Sequence, residues 1–100
     1  MPVAVHHVDH PLIADALVRV RDAATPNALF RQELGRIGSL LLAEATRSLP
    51  TKAVRVATPL IETDGRILAS EPIVVPVLRA GLGFVQAAQE LMPNADIGFI

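Results

Sequence analysis

The most constraining feature of this chain is an apolar segment that runs into a glycine-containing loop. Residues Ile73–Leu78 are almost continuously apolar, which is typical of a strand covered on both faces of a parallel sheet. The loop Arg79–Gly83 follows, then a helical stretch from about Phe84 to Leu91, and then a second apolar segment, Ile97–Ile100. Strand, loop, helix and strand in this order predict a βαβ unit, the building block of an α/β sheet.

The first half of the sequence has a helical period instead. After a short extended arm, Met1–His10, apolar residues recur at intervals of three and four over Pro11–Ala24 and again over Asn27–Ser48. This spacing predicts two amphipathic helices. Gly35 and Gly38 are unfavourable inside the second helix, so we interpret both as points where another part of the backbone approaches closely.

Between the helices and the apolar segment, the period changes to that of strands. Residues 53–57 alternate as in a half-exposed strand, and Thr63–Arg66 has the composition of a tight turn between the apolar pairs Leu60–Ile61 and Ile67–Leu68. We therefore expect residues 53–69 to form an antiparallel excursion at the edge of a larger sheet. The Asp-Gly pair of this turn needs no chemical role.

Composition limits the class of function. The chain has 100 residues, of which 51% are hydrophobic, a formal net charge of -1 and no cysteine. The balanced charge gives no field that favours nucleic acid or an acidic membrane, and the lack of cysteine removes disulfides, zinc–thiolate sites and thiol nucleophiles. No apolar run approaches the roughly 20 residues that a membrane span needs, so we expect a cytoplasmic protein.

An apolar fraction of about half is high for so small a chain, which suggests that something outside it covers part of its surface. The predicted parallel sheet also stops inside its second strand, which leaves an unpaired edge and an apolar face. We therefore expect an α/β fold with two amino-terminal helices, an antiparallel edge excursion and one βαβ unit of an incomplete parallel sheet. Residues 1–100 would form part of a single domain, and the free polypeptide would fold poorly or associate.

The loop Arg79–Gly83 is the candidate binding site, because ligands of open α/β sheets bind at the carboxyl ends of the strands. Its two glycines allow close approach of a ligand, and its amides lead into the start of a helix. Arg79 adds a permanent cation that can grip two phosphate oxygens at once. These donors suit a phosphate or pyrophosphate group, although a plain packing turn fits the same residues. Gln86 replaces the third glycine of a dinucleotide loop, and the P-loop pattern is missing.

Other polar residues have simpler interpretations. Four residues of the arm carry side chains that can ligate metals: His6, His7, Asp9 and His10. Adjacent histidines on an arm rarely converge on one ion, so we expect no metal site there and place either the aspartate or the last histidine at the cap of the first helix. Three charged residues of the second helix are expected on a solvated or subunit-facing surface: Arg36, Glu44 and Arg47.

Several stretches together resemble one enzyme family. Val75–Gly83 closely resembles the pyrophosphate-binding loop of the uracil phosphoribosyltransferases, which are type I phosphoribosyltransferases. Further stretches resemble other motifs of the family, in the family's order and spacing: His10–Leu12, Gly38–Leu41 with Glu44–Thr46, and Thr58–Leu60. The likeness covers all 100 residues and is to the amino-terminal half of the enzyme.

The resemblance implies an activity and a set of ligands. Family members transfer the ribose 5-phosphate unit of phosphoribosyl pyrophosphate to N1 of uracil, which yields UMP and pyrophosphate in pyrimidine salvage. The match of the loop implies that five residues bind phosphoribosyl pyrophosphate: Arg79, Ala80, Gly81, Leu82 and Gly83. The resemblance also implies Mg²⁺ bound together with that substrate, GTP as an allosteric activator, and a homo-oligomer.

The sequence departs from the family pattern in two respects. Ala43 stands where many members have a tyrosine, which is expected to affect packing. The family's acidic phosphoribosyl-binding segment, with its Thr-Gly-Gly stretch, and its uracil-reading loop lie downstream of these residues. We therefore expect no catalytic residue in this chain and no activity from it alone. Two alternatives stay open: a non-catalytic oligomerisation or phosphate-binding module with a vestigial loop, and an unrelated α/β domain with a convergent loop.

Overall fold

A computed structural model describes residues 3–100, so Met1 and Pro2 of the predicted arm lie outside the described residues. The elements follow in this order: α1 Pro11–Arg21, α2 Asn27–Ala45, β1 Thr51–Ala57, β2 Glu62–Leu68, β3 Ile73–Val74, a 3₁₀ helix Ala80–Phe84, α3 Val85–Leu91 and β4 Asp96–Ile97. The mixed α/β class predicted from the sequence is confirmed. That residues 1–100 are part of one domain stays a prediction.

Local capping determines where α1 begins and ends. His10 is the cap residue, because its Nδ1 accepts a hydrogen bond from the amide of Leu12 at 3.1 Å, and Pro11 fills the first helical position. The helix ends at Arg21 rather than at Ala24. Asp22 adopts an extended conformation and its carboxylate accepts the amide of Ala24 at 2.9 Å, a local turn that competes with further helix.

The second helix also ends earlier than its apolar pattern suggests, at Ala45 rather than Ser48. The carbonyl of Leu42 accepts both the amide of Thr46 at 2.9 Å and its hydroxyl at 2.7 Å, and this side-chain bond competes with a further turn of helix. Main-chain hydrogen bonds from Arg47 to Glu44 and from Leu49 to Thr46 then turn the chain away.

α1 and α2 form a helical hairpin around a small core. Ile13, Ala16 and Ile37 are buried, and the side chains packed around them are Val8, Leu17, Val20 and Leu40. α2 also packs against the 3₁₀ helix and α3, where Ala87 and Ala88 are buried. α2 is therefore in contact with both α1 and the βαβ unit.

A charged group lies inside the α1–α2 contact. Glu33 is only 5% exposed, and its carboxylate accepts a hydrogen bond from Arg36 at 2.7 Å while Arg19 lies 3.9 Å away. Arg19 in turn binds Asp15 at 2.8 Å, and this hydrogen bond holds the pKa of the Asp15 carboxyl below its usual value. Arg36 is predicted on a solvated or subunit-facing surface, whereas here it is partly buried and compensates the charge of Glu33.

The antiparallel pairing is confirmed, but β1 and β2 form a two-stranded sheet of their own rather than the edge of a larger one, and the predicted turn is wrong. β1 and β2 pair from Thr51 opposite Leu68 to Ala57 opposite Glu62, so the turn is at residues 58–61. The hydroxyl of Thr58 closes this turn by accepting the amide of Ile61 at 3.1 Å. The pair Asp64–Gly65 lies within β2, where the Asp64 carboxylate accepts a hydrogen bond from Arg55 of β1 at 2.8 Å.

The βαβ unit is present with shorter strands than expected. β3 and β4 pair in parallel, Ile73 opposite Asp96 and Val74 opposite Ile97, and the amide of Gly98 adds a hydrogen bond to the carbonyl of Val74. The pairing stops before Pro76, which has no N–H to donate. The prediction of a strand covered on both faces is wrong for this chain, because Ile73 is 70% and Val77 80% exposed.

The molecule is extended for its size. Its radius of gyration is 17.1 Å, whereas a compact domain of 100 residues has about 13 Å. Among residues 3–100, none of the helices combines the length and the hydropathy that crossing a bilayer requires.

The helical hairpin should carry much of the stability. Ile37→Ala is expected to lower the free energy of unfolding by about 2–5 kcal/mol, because it removes a buried side chain from a core with few members. Urea unfolding followed by circular dichroism measures this loss. Leu60→Ala is the control, because Leu60 is 92% exposed in the β1–β2 turn and its loss should matter by less than about 0.5 kcal/mol. Equal losses in the two variants would contradict the assignment of the core.

The exposed sheet face should make the free chain self-associate. We expect its sedimentation coefficient to rise with concentration, because Ile73 and Val77 expose apolar surface beside an unpaired strand edge. Replacing both residues by lysine should suppress the rise. A monomer at all concentrations with a sharp thermal transition would contradict this expectation.

Candidate functional site

The predicted loop is a compact turn between β3 and α3. The peptide bond Leu78–Arg79 is cis, and Arg79 directly precedes the 3₁₀ helix Ala80–Phe84, which continues into α3. We call residues 79–84 the Arg79 turn. It follows the carboxyl end of β3, the edge at which ligands bind in parallel sheets.

The guanidinium of Arg79 is the most available donor of this turn. Arg79 is exposed, and within residues 3–100 its side chain takes part in no hydrogen bond or ion pair. Because a guanidinium is charged at all physiological pH values and presents its N–H groups as a planar fork, it can bind two oxygens of a phosphate. The turn therefore offers a free cation of the type that a pyrophosphate needs.

The backbone amides of the turn are less available. The amide of Gly81 donates to the carbonyl of Val77 at 2.7 Å, and the amide of Leu82 donates to the carbonyl of Arg79 at 3.0 Å. The second bond has the three-residue spacing of a 3₁₀ helix, whereas the first spans four residues and ties the turn to the segment that follows β3. A ligand would have to displace them to use these two N–H groups, so the predicted binding role of the residues from Ala80 to Gly83 stays a prediction.

The glycines of the turn allow close packing against neighbouring elements, and neither is needed for a left-handed backbone conformation. No glycine among residues 3–100 has a positive φ. A Cβ atom at Gly81 would lie 3.2 Å from the carbonyl carbon of Pro76, and one at Gly83 would lie 2.7 Å from Cδ2 of Leu34. The turn is thus pressed against the end of the β3 segment on one side and against α2 on the other.

α2 approaches the turn a second time through Gly38. A Cβ atom on Gly38 would lie 2.5 Å from Cδ1 of Phe84, the last residue of the turn. The predicted approach of another backbone is found at neither glycine of α2: the atoms close to Gly38 belong to the side chains of Phe84 and Ala87, and nothing lies within 4 Å of Gly35. The supporting residues Leu34 and Phe84 were missed. The available signal was their spacing, because Leu34 precedes Gly38 by four residues and so shares its helix face.

A groove of about 440 Å³ opens beside the turn. Its walls are apolar, and Ala80, Gly81 and Phe84 of the turn form one of them. No carboxylate lines this groove. Arg79 does not line it either, so the groove is apolar space beside the turn and not itself a site for an anion.

The other predicted polar groups behave as surface residues. The part of the chain that the structure describes contains no group of three or more histidines, aspartates or glutamates that could hold a metal ion, the arm cluster of His6, His7, Asp9 and His10 included. Glu44 pairs with Arg47 at 2.8 Å, and this hydrogen bond lowers the pKa of the Glu44 carboxyl. Both side chains are well exposed, as expected.

Comparison with known proteins identifies the family. The family model described as uracil phosphoribosyltransferase matches residues 7–100. The chain belongs to the uracil phosphoribosyltransferase family. This confirms the resemblance drawn from its motifs, and it removes the alternative of an unrelated domain with a convergent loop.

Relatives of this uracil phosphoribosyltransferase family member are about twice as long. Over 93 residues it is 46% identical to the uracil phosphoribosyltransferase of Corynebacterium diphtheriae and 41% identical to that of Corynebacterium urealyticum. These matches cover 93% of this chain but 44% and 43% of the relatives. A solved structure, that of the AQ2163 protein from Aquifex aeolicus, is similar with a TM-score of 0.86 and 32% identity over 94% of this chain and 46% of the other.

The isolation of Arg79 has a consequence for stability. Arg79→Ala should change the free energy of unfolding by less than about 0.5 kcal/mol, because the side chain is exposed and makes no polar contact among the described residues. Chemical denaturation of the two proteins side by side measures the difference. A loss of unfolding free energy as large as that expected for Ile37→Ala would show that Arg79 stabilises the fold and is not free to bind a ligand.

Proposed function

We propose that these residues form the amino-terminal part of a uracil phosphoribosyltransferase domain. The reaction breaks the bond between C1 of the ribose and the pyrophosphate oxygen of phosphoribosyl pyrophosphate. It forms a bond between that carbon and N1 of uracil, which loses its proton. The products are UMP and pyrophosphate, which places the enzyme in pyrimidine salvage. The observation that carries the proposal is the exposed guanidinium of Arg79, which has no polar partner within residues 3–100 and lies on a turn at the carboxyl end of β3 within the family match.

Arg79 would act on the leaving group. Negative charge grows on the pyrophosphate as its bond to the ribose breaks, and a preorganised cation stabilises that charge more than it stabilises the bound substrate. No hydrogen bond or ion pair within residues 3–100 has to break before the exposed guanidinium donates to two oxygens of the pyrophosphate. The amides from Ala80 to Gly83 would contribute as the turn opens, since those of Gly81 and Leu82 are engaged within the chain.

Other components of the proposal come from outside these residues. The chain spans less than half the length of the curated relatives it matches, so we place the sites for uracil and for the ribose phosphate in the remainder of the domain. The described residues offer no carboxylate cluster for Mg²⁺, so any protein ligand of the ion would belong to the remainder of the domain, and no step here depends on it. GTP activation, homo-oligomer formation and a cytoplasmic location stay predictions of the resemblance.

A chimeric enzyme tests the function. We suggest joining these 100 residues to the carboxyl-terminal portion of the Corynebacterium diphtheriae relative, which is 46% identical where the two overlap. The chimera should convert radiolabelled uracil and phosphoribosyl pyrophosphate to UMP, and Arg79→Ala should lower kcat/KM for phosphoribosyl pyrophosphate by about 10²–10³-fold. Arg55→Ala, which removes an arginine from the β1–β2 hairpin, is the matched control and should leave kcat/KM unchanged.

The outcomes separate the proposal from its alternative. An active chimera that is indifferent to Arg79→Ala would show that the arginine does not serve the pyrophosphate. A folded but inactive chimera would contradict the enzymatic proposal and favour a non-catalytic module with a vestigial loop.

A further inference from the structure

We propose that α2 sets the position of the Arg79 turn, with Gly38 and Leu34 as positioning residues for the pyrophosphate-binding arginine. This inference rests on the proposed function, because it assigns a role to residues that reach the substrate only through Arg79. It adds supporting residues behind the site, and they belong to a helix that β1, β2 and β3 separate from the turn in the sequence.

The first contact is a side chain of the turn seated on a glycine of the helix. Gly38 is buried, and the space that its Cβ would fill is taken by the ring of Phe84, with Cδ1 at 2.5 Å and Cε1 at 3.2 Å from the Cβ position. Ala87 of α3 lies next to the same position, at 3.5 Å. Real Cβ atoms do not approach a ring this closely, so any side chain at position 38 must push Phe84 away.

In the second contact the two elements exchange roles. Here the side chain belongs to the helix and the glycine to the turn, because Cδ2 of Leu34 lies 2.7 Å from where a Cβ of Gly83 would be. Leu34 and Gly38 are one helical turn apart and lie on the same face of α2. In one contact a side chain of the turn fills the space at a glycine of α2, and in the other a side chain of α2 fills the space at a glycine of the turn. Together they restrict movement of the turn over the surface of α2.

Movement of Phe84 would be passed on to Arg79. The two residues bound one short 3₁₀ helix, and the amide of Leu82 is hydrogen-bonded to the carbonyl of Arg79 at 3.0 Å. The arginine side chain has no polar partner of its own among the described residues, so its place depends on the backbone that carries it. A shift of the ring would therefore displace the guanidinium while leaving the Ile13–Ala16–Ile37 core in contact.

The chain supplies a matched control for this inference. Gly35 lies in the same helix, and a Cβ there would meet nothing within 4 Å. Gly35→Ala and Gly38→Ala give the same gain in helix propensity. They differ in that only the second collides with the turn.

Hydrogen exchange tests the position of the turn without any ligand. In the ligand-free chimera, Gly38→Ala should accelerate amide exchange of residues 78–84 by about tenfold or more, because the bonds of the 3₁₀ helix open when Phe84 is displaced. Gly35→Ala should leave this exchange unchanged. The double variant Gly38→Ala/Phe84→Leu should return part of the protection, because the smaller side chain yields space to the new methyl group.

Kinetics of the chimera described above test the consequence for the site. Gly38→Ala should lower kcat/KM for phosphoribosyl pyrophosphate by about 10²-fold, since misplacement by an ångström is enough for such a loss. KM for uracil should stay the same, and the Phe84→Leu exchange should restore part of the activity.

Each outcome decides the inference. Equal effects of Gly35→Ala and Gly38→Ala would overturn it, and so would faster exchange of the turn with unchanged kinetics, which would reduce Gly38 to a packing residue. If Arg79→Ala is also without effect, the proposed function fails and the positioning role fails with it. If Arg79→Ala is damaging and Gly38→Ala is silent, only the positioning role fails.

Discussion

The close packing of α2 against two different partners is the constraint on which this structure depends. Ile37 faces α1 in the buried core, and its neighbour Gly38 faces the ring of Phe84. Adjacent helical residues point about 100° apart, so one segment of α2 can serve two surfaces at once. The helical hairpin and the βαβ unit are thereby held in a fixed relation, and with them the turn that carries Arg79.

The charge of Glu33 makes the packing of α1 on α2 more specific. A buried carboxylate is costly unless it is compensated, and the structure provides a hydrogen bond from Arg36 of the same helix and the positive charge of Arg19 from α1. Such a group restricts how α1 can lie on α2, because sliding or rotation would leave the carboxylate without one of its arginines. The apolar core alone, with few members and mostly aliphatic contacts, would be less selective.

The sequence predicted the elements that have strong local signals. Helix starts, the βαβ order and the Arg79 motif were all readable, because proline, capping residues and glycines act over a few neighbours. The turn at Asp64–Gly65 was misplaced because cross-strand pairing outweighed local turn preference: Arg55 binds Asp64 across the hairpin, and the hydroxyl of Thr58 builds the turn elsewhere. The contact between Gly38 and Phe84 was not predicted, because it joins residues far apart in the sequence. The sequence also contains no signal that distinguishes Gly38 from Gly35 in the same helix.

The paired glycine contacts also have an energetic consequence. At each of them a side chain from one element occupies the volume that a side chain of the other would need, Phe84 at Gly38 and Leu34 at Gly83. The free energies of substitutions at the two members of a pair are therefore not additive, since a larger residue on one side is tolerated once the residue opposite becomes smaller. The side-chain volumes at the two positions of a pair are therefore coupled, and a change at one position restricts which residues the other can accept.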